Sequence, residues 1–382
     1  MSDGYMVEPD ISFVRKLQSL GGESIKKCFQ CATCSVICPL SPDERPFPRK
    51  EMVWAQWGLR DKLRGDVDIW LCHQCTDCSS YCPRGAKPGD VLAAIRNYTF
   101  IRNAFPRFLG EALSQPRFLP VLFAIPLVLF LLLLAVTGHW NIPPGEVVFS
   151  KFFPIKFVDS IFITLTVLVA IAFGMGVSRF LTELHEYALR EKLTGRENIV
   201  PSEFVSCLIS MIPEILKHSR FKECGVSKDR YLAHILVLFG FLGLFIVTGV
   251  VFLGLYLLGV ETPYHLLNPI KIFANVAAIS LFVGIILVLI NRLAAKNNGT
   301  SNPSYHDWLL IAVILGLVTT GILSELTRLA QIAALAYPTY LVHLVFVFFL
   351  IGYLPYSKLA HLVYRTLALA YARYIERETK QA

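Results

Sequence analysis

Charged residues are scarce in this chain, since Asp, Glu, Lys and Arg make up only 17% of its 382 residues. Soluble domains contain roughly 25%, so a wholly soluble globular protein is excluded. The first 27 residues lack an apolar core, and we therefore expect no secretory signal, with the polar part staying on the side of synthesis. A basic stripe with interleaved aromatic residues is also lacking, so the net charge of +8 does not indicate a nucleic-acid partner.

Apolar residues make up 54% of the sequence, but they are unevenly distributed. Residues 1–115 are polar and charged, whereas long apolar runs dominate residues 116–382. This change predicts a soluble N-terminal domain followed by a membrane domain. Eight of the ten cysteines lie from Cys28 to Cys82. In a reducing compartment such a density indicates metal ligation rather than disulfides.

Six apolar runs are about 20 residues long, the length at which a helix crosses about 30 Å of hydrocarbon. The predicted spans are 118–137, 157–178, 232–258, 269–290, 308–329 and 337–356. Nine Lys and Arg lie from Arg179 to Arg230 and five follow Tyr356, whereas the loops near Pro143 and Pro263 carry very few. By the positive-inside rule, we expect a multi-pass protein of the cytoplasmic membrane with the N-terminal domain and the C-terminus inside. Residues 201–216 have helical periodicity and are expected to lie along the inner membrane surface.

Two segments repeat one cysteine pattern, Cys-x-x-Cys-x-x-Cys-x-x-x-Cys-Pro. The first contains Cys28, Cys31, Cys34 and Cys38, and the second contains Cys72, Cys75, Cys78 and Cys82. Three closely spaced thiolates can surround one face of an iron–sulfur cubane, while the fourth turns toward the other cluster. We therefore predict that Cys82 completes the first cluster and Cys38 the second. Two four-cysteine zinc sites are the alternative, but zinc usually takes two Cys-x-x-Cys pairs separated by a longer loop.

Three histidines in the membrane part are candidate haem ligands. His343 and His361 are 18 residues apart, which in an uninterrupted helix places both on one face, about 27 Å apart along the axis. That separation suits two haems near opposite membrane surfaces. His234 opens the third span at the depth of His361, so we predict that these two ligate an inner haem. Intramembrane ionisable groups are usually functional, and hydrogen-bonded packing histidines are the alternative.

The outer haem would use His343 and a second histidine from another element. His265 is the preferred candidate and His139 the alternative, because no histidine occupies the outer half of the third span. The remaining histidines near the inner loops are expected to be solvated, and these are His185, His218 and His306.

Polar residues near the outer ends of the fourth and fifth spans suggest a quinone site. These residues are Lys271, Asn275, Glu325 and Arg328. A quinone headgroup requires hydrogen-bond donors and a carboxylate or histidine that exchanges protons. The alternative is that Glu325 and Arg328, three residues apart, form an ion pair at a helix end.

These motifs are similar to a known arrangement. The tandem cysteine motifs resemble the C subunit of heterodisulfide reductase. The bundle, with His343 and the stretch Pro355-Tyr-Ser-Lys-Leu-Ala-His361, looks like the E subunit of that enzyme and the gamma subunit of respiratory nitrate reductase. The fusion of both parts is similar to the C-subunit family of the quinone-interacting membrane-bound oxidoreductase of sulfate reducers, and this resemblance covers nearly the whole chain.

The resemblance implies an all-α fold, with an alpha-helical ferredoxin domain that holds two [4Fe–4S] clusters and a six-helix transmembrane cytochrome b-type bundle. It also implies two haems b, menaquinone as substrate, and soluble flavin and iron–sulfur partners resembling the A subunit of heterodisulfide reductase. The early haem helix of the nitrate reductase gamma chain carries two histidines, and here only His234 matches.

The function expected from these features is electron transfer from menaquinol through two haems and two clusters to the soluble partners, toward adenylylsulfate reductase. One alternative is a membrane component of a heterodisulfide reductase or a sulfite-reductase-linked complex. Another is a membrane anchor that carries clusters but no haem.

Overall fold

The computed structural model describes residues 8–217, 230–260 and 262–377, and all regular secondary structure in them is helical. The N-terminal domain contains α1 Ile11–Ser19, α2 Thr33–Val36, α3 Arg49–Gln56, α4 Arg60–Leu63, α5 Asp68–Leu71, α6 Asp77–Ser80, α7 Pro88–Asn103 and α8 Arg107–Leu113. The remainder contains α9 Leu119–Thr137, α10 Phe149–Phe152, α11 Ile155–Arg190, α12 Pro201–Lys217, α13 Arg230–Leu258, α14 Pro269–Asn297, α15 Tyr305–Leu329, α16 Ala333–Gly352 and α17 Ala360–Tyr374. The all-α fold class predicted from the sequence is confirmed.

Six helices in the described residues are long and apolar enough to cross a membrane. They are Pro116–Thr137, Ile155–Arg190, Arg230–Leu258, Pro269–Asn297, Tyr305–Leu329 and Ala333–Gly352. The predicted number of spans is therefore confirmed, while several ends differ. Helix α11 continues to Arg190, well beyond the predicted end at residue 178, because its polar last turns pack against the N-terminal domain.

The last predicted span, 337–356, ends a few residues early, and no single helix joins His343 to His361. Helix α16 ends at Gly352, a 3-10 turn covers Leu354–Tyr356, and α17 starts at Ala360. Pro355 lies in that turn, and proline cannot donate the backbone hydrogen bond that a continuing helix requires. His343 and His361 therefore lie on separate helices, and the axial separation calculated for one helix does not apply.

Helices α13 and α14 approach each other closely along glycines. A Cβ atom at Gly240 would lie 2.8 Å from the backbone nitrogen of Leu281, and one at Gly284 would lie 2.8 Å from the backbone nitrogen of Val237. Small residues at such contacts let membrane helices pack backbone to backbone, where dispersion contacts are densest. This pair forms one wall of the bundle.

The N-terminal domain packs against one end of the bundle, which we call the inner end; the opposite end is the outer end. Trp70 is buried there, stacked on Tyr364 of α17 and edge-on to Phe180 of α11, with ring centroids 6.1 and 5.1 Å away. Arg64 donates to the buried Glu183 of α11 at 2.8 Å. The apolar contacts and the ion pair hold the N-terminal domain in one position on the bundle.

The predicted helix at residues 201–216 is present as α12, with the same start. It packs against α17 through Phe204 and Met211, which are buried. Its exposed side carries large apolar side chains, namely Val205, Ile209, Ile212 and Leu216. This amphipathic surface is consistent with a helix in a membrane interface, and that placement stays a prediction.

Candidate functional site

The two cysteine motifs adopt the same local backbone. In the first motif Gln30 and Ala32 have left-handed φ values of 60° and 69°, and in the second Gln74 and Thr76 have 54° and 75°. Non-glycine residues are uncommon in this region, so two such pairs at matching positions show that the sequence repeat is also a structural repeat. The left-handed residues turn the backbone sharply within each motif.

Each motif also directs a backbone amide at its first cysteine sulfur. The amide of Gln30 donates to Cys28 Sγ at 3.4 Å, and that of Gln74 donates to Cys72 Sγ at 3.2 Å. Hydrogen bonds to the cysteine sulfurs tune the potentials of iron–sulfur clusters.

Cys34 lies near cysteines from both motifs. Burial, together with the nearby Cys28, Cys31 and Cys82, raises the pKa of its thiol to about 12. Cys82 is the last cysteine of the second motif, so the fold brings it to the first three cysteines of the other motif.

Cys38 has the reciprocal surroundings. Burial raises the pKa of its thiol to about 12 as well, and here the neighbouring thiols are Cys72 and Cys75 of the second motif. If these sulfurs were ionised they would repel one another, so the thiolates that ligate a metal require a cation that compensates their charge. The donor sets therefore fit iron–sulfur clusters, whose iron atoms supply that charge.

The spacing of the sulfurs argues against zinc. Four thiolates bound to one zinc at 2.3 Å lie about 3.8 Å from one another. Among the described residues, the group of three or more potential ligands whose atoms all lie within 4.8 Å is a carboxylate trio, Glu51, Asp66 and Asp68, and not a cysteine set. The trio also surrounds the Lys50 ammonium, which occupies its centre as a cation.

A cavity lies at the inner end of the bundle, and we call it the inner cavity. Its lining includes Cys72 of the second motif together with His234 and His361. The structure thus brings the two histidines predicted to share a haem into one cavity, and places a predicted cluster ligand beside them.

His361 is oriented as metal-binding histidines usually are. Its Nδ1 lies 2.5 Å from the carbonyl oxygen of Lys358, and because a carbonyl only accepts, Nδ1 carries the proton. The lone pair is therefore on Nε2, which is the tautomer that ligates a metal.

The inner cavity is also strongly basic. Its lining includes Arg96, Arg230, Arg292, Lys358 and Arg365, and Asp307 is the one acidic residue among the described residues that line it. Asp307 pairs with Lys358 and, at 3.1 Å, with Arg292. The Nη1 atom of Arg292 is buried without a hydrogen-bond acceptor in the described part of the chain. The residues present fit a histidine-ligated group that carries carboxylates, as haem does.

A second cavity, the outer cavity, lies toward the outer end. It is lined by His343 and by three of the four residues predicted to form a quinone site, namely Lys271, Glu325 and Arg328. Glu325 pairs with Lys271 of α14 at 2.5 Å and accepts from Asn275 at 3.3 Å. The four predicted residues are therefore close together: Lys271 and Asn275 bond to Glu325, and Arg328 lines the same cavity. The ion-pair partner of Glu325 is Lys271 on another helix and not Arg328.

His343 has the same tautomer as His361, since its Nδ1 lies 3.1 Å from the carbonyl oxygen of Leu317. The predicted second ligands of an outer haem do not line the outer cavity. His265 is exposed, and its Nδ1 accepts from the amide of Leu267 at 3.3 Å; His139 is half-buried. The described lining supplies one imidazole, so it does not fit a haem with two histidine ligands, and the outer haem stays a prediction.

Two histidines that were expected to be solvated are buried. His185 is bonded to Tyr371 at 2.8 Å, and His306 is 2% exposed beside Phe100 of the N-terminal domain. The expectation was wrong for both because the N-terminal domain and α17 cover the loops. His218 lies outside the described residues. Sequence reasoning also missed Asp307 and Arg292. The local signal for Asp307 is the capping box that it forms with Ser304 at the start of α15.

Comparison with known proteins assigns the cysteine region. Residues 24–86 match the family described as 4Fe-4S dicluster domain. The N-terminal region is a dicluster ferredoxin domain. Its cysteines hold two [4Fe–4S] clusters.

Curated relatives match the same region. The chain is 37% identical over 89 residues to the C subunit of the H(2):CoB-CoM heterodisulfide,ferredoxin reductase of Methanothermobacter marburgensis, covering 23% of this chain and 48% of that protein. It is 37% identical over 81 residues to a protein of Archaeoglobus profundus that is named for its likeness to the C subunit of heterodisulfide reductase, covering 21% and 43%. The chain thus spans less than half the length of the curated relatives it matches. No solved structure matches the chain.

Proposed function

We propose that this chain is the membrane component of an oxidoreductase complex that transfers electrons between a membrane quinol and a soluble redox partner. The observation that carries the proposal is the inner cavity, where Cys72 of the dicluster domain lies beside His234 and His361. A cluster ligand and two histidines around one space are the arrangement expected where electrons pass between a membrane cofactor and an iron–sulfur cluster.

In this proposal each cluster takes ligands from both motifs. The first is bound by Cys28, Cys31, Cys34 and Cys82, and the second by Cys72, Cys75, Cys78 and Cys38. Two neighbourhoods support this assignment. Cys34 lies near Cys28, Cys31 and Cys82. Cys38 lies near Cys72 and Cys75.

The inner cavity would hold a haem b between His234 and His361. Arg292 and Lys358 would bind its carboxylates, and the buried Arg292 Nη1 without an acceptor supports this role. When bound, the haem supplies one-electron transfer, while the protein positions it and sets its electrostatic environment. The surplus of positive charge in the cavity favours the reduced state of any group bound there.

The outer cavity would bind the quinol, with menaquinol as the substrate that the family resemblance implies. Glu325 would accept a proton, and Lys271 and Asn275 would hold its carboxylate in position at 2.5 and 3.3 Å. With the dicluster domain in the cytoplasm, as the distribution of Lys and Arg favours, protons would be released outside while electrons move inward.

The acceptor is proposed at the level of its class. The matched relatives are named for subunits of reductases, so we infer that this chain assembles with soluble flavin and iron–sulfur proteins. Electron delivery toward adenylylsulfate reductase follows from the family resemblance. A heterodisulfide reductase or sulfite-reductase-linked complex would have the same cofactors, and a haem-free anchor would lack absorbance bands of haem.

The histidine assignment is tested by haem content. His234→Ala and His361→Ala should each abolish the same haem signal in a spectroscopic redox titration, because two imidazoles hold one iron. His265→Ala, at an exposed histidine outside both cavities, should retain that signal. If the two inner variants lost different signals, or if the wild-type chain purified from its native membrane contained no haem, the inner-haem proposal would be refuted.

A further inference from the structure

The two cysteine motifs share a backbone but differ in what covers them. In the first motif Phe29 is 65% exposed and Val36 is 85% exposed, and Cys31 is exposed too. At the position equivalent to Phe29 the second motif has His73, which is 8% exposed. The first motif therefore lies at the surface of the dicluster domain, whereas the second motif has no exposed residue from Cys72 to Ser79.

The enclosed motif faces the membrane part. Cys72 lines the inner cavity, and Trp70, which packs against α11 and α17, immediately precedes this motif. Neither helix covers the side chains of Phe29 and Val36 in the exposed motif. The two clusters thus have separate positions, one next to the inner cavity and one next to the surface.

Apolar side chains surround the exposed cluster position. Phe29, Val36, Ile37 and Tyr81 are all exposed, and we call them the apolar patch. The Arg84 guanidinium lies 4.0 Å from the centre of the Phe29 ring, so the segment that follows Cys82 contacts the first motif. Contiguous apolar groups of this kind on a surface mark interaction sites.

Basic residues form the rim of this patch. Lys26, Lys27, Arg49 and Arg84 are exposed, and Arg49 donates to the carbonyl oxygen of Gln30 at 2.9 Å within the first motif. From residue 21 to residue 49 the exposed acidic residues are Glu23, Asp43 and Glu44, and residues 79–87 contain no acidic residue. An apolar centre with a polar, charged rim is the usual composition of a protein interface.

We propose that the apolar patch and its basic rim are the docking surface for the soluble electron-transfer partner, and that the partner's contact surface is acidic around an apolar centre. Electrons then pass between the inner cavity, the cluster of the enclosed motif, the cluster of the exposed motif and this partner, in that order or its reverse. The inference rests on the proposed electron-transfer function. A second copy of this chain is disfavoured as the occupant because two basic rims repel each other.

Flavodoxin, a small acidic one-electron carrier, is a suitable probe, and the rate of cluster reduction is measured by stopped flow with the detergent-solubilised chain, without its soluble partners. For the wild type, the rate with reduced flavodoxin should fall as salt is added. The double variant Lys26→Glu and Lys27→Glu should be slower by about tenfold or more at low salt and lose the salt dependence, because steering accelerates association by 10–10³. Reduced methyl viologen, a small cation that requires no docking, should reduce the clusters of that variant at least as fast as those of the wild type.

A matched double variant, Lys192→Glu and Lys217→Glu, changes the net charge equally at exposed positions near α11 and α12. It should keep the wild-type rate and salt dependence, and an equal loss of rate in this control would refute a local docking surface.

Val36→Ser should raise the flavodoxin concentration for half-maximal rate without changing the viologen rate. If neither patch variant altered the flavodoxin reaction while viologen still reduced the clusters, the docking proposal would be overturned and the electron-transfer function would stand. Failure of viologen to reduce the wild-type clusters would count against the function itself.

The membrane is the remaining candidate occupant of the patch. The protein is therefore also reconstituted in vesicles of phosphatidylcholine with or without phosphatidylglycerol. If the patch is free for a soluble partner, flavodoxin should reduce the clusters in both kinds of vesicle when the two are compared at the same salt concentration. Complete protection from flavodoxin by the anionic vesicles, reversed by Lys26→Glu and Lys27→Glu, would show that lipid covers the patch and would refute the proposal.

Discussion

At the scale of single residues, the chemistry of this protein depends on which cysteines become neighbours in the fold. Cys82 is four residues from Cys78 in the sequence, yet the thiol of Cys34 has Cys82 as a neighbour. A serine hydroxyl at position 82 cannot replace a thiolate as a soft ligand of iron. The effect of such a change should therefore appear at the cluster of the other motif.

Replacement of Cys82 by serine tests this assignment. The variant should lose or alter the cluster that is bound by Cys28, Cys31 and Cys34, and keep the cluster of the second motif. Electron paramagnetic resonance of the reduced protein, with iron content, is the measurement. Cys207→Ser, at a half-buried cysteine of α12, is the control that should retain both clusters. Damage confined to the second-motif cluster would show that each motif binds its own cluster.

At the scale of helices, the outer cavity depends on a contact between α14 and α15. Lys271 and Asn275 of α14 both bond to Glu325 of α15. These residues are 50 or more positions apart in sequence, so only the packing of the two helices makes the carboxylate a fixed group beside His343. A fixed carboxylate that lines this cavity is suited to accept a proton from a bound quinol.

The variant Glu325→Gln should slow quinol-driven haem reduction by about 10²-fold, the low end for losing a general base. Haem content should be unchanged, because the amide oxygen can still accept from Lys271. Stopped-flow reduction by a menaquinol analogue measures the rate, and Lys358→Ala in the inner cavity is the comparison. A normal rate in the first variant with a slow rate in the second would place the quinol site at the inner end.

At the scale of the whole molecule, an ion-pair network joins the end of the chain to the dicluster domain. Arg377 donates to both carboxylate oxygens of Asp68, at 2.9 and 2.8 Å, and Lys50 lies 2.7 Å from the same carboxylate. Glu51 and Asp66 complete the network, and all three acids are buried. Three carboxylates meet two cations, so one proton held by the acids would make the network neutral.

Burial raises the pKa of Glu51 to about 8 from its usual 4.5, although Lys50 acts in the opposite direction. Between these values the folded chain holds a proton that the unfolded chain has lost, so the free energy of unfolding falls as the pH rises. The slope is about 1.4 kcal/mol per pH unit. Above about pH 8 both states are ionised at Glu51 and its contribution stops changing.

Glu51→Gln should therefore reduce the decline in thermal stability between about pH 6 and 8 by about one proton's contribution. The midpoint of thermal unfolding of the detergent-solubilised chain, measured across this range, is the test. Glu203→Gln is the matched control, because Glu203 is exposed and pairs with Arg196 at the surface. An unchanged pH dependence in the Glu51 variant would show that Glu51 is ionised in the folded protein.

Much of this architecture is predictable from local sequence. Six apolar runs predict six spans because hydrocarbon thickness sets the length of a crossing helix. The repeated cysteine spacing predicts cluster binding because the ligands are within a few residues of one another, and the left-handed turns at Gln30 and Gln74 keep them there. Both properties depend on neighbours along the chain, which a sequence displays directly.

The sequence by itself determined the helical class, the number of spans and the two cluster motifs. The tertiary structure decided that His234 and His361 share a cavity with Cys72, that Glu325 pairs with Lys271, and that one motif is exposed while the other is enclosed. The physical reason is the distance along the chain between the residues involved. Cysteine spacing and hydropathy are properties of residues within a few helical turns of one another. Burial and charge pairing depend instead on residues that only packing of distant segments brings together.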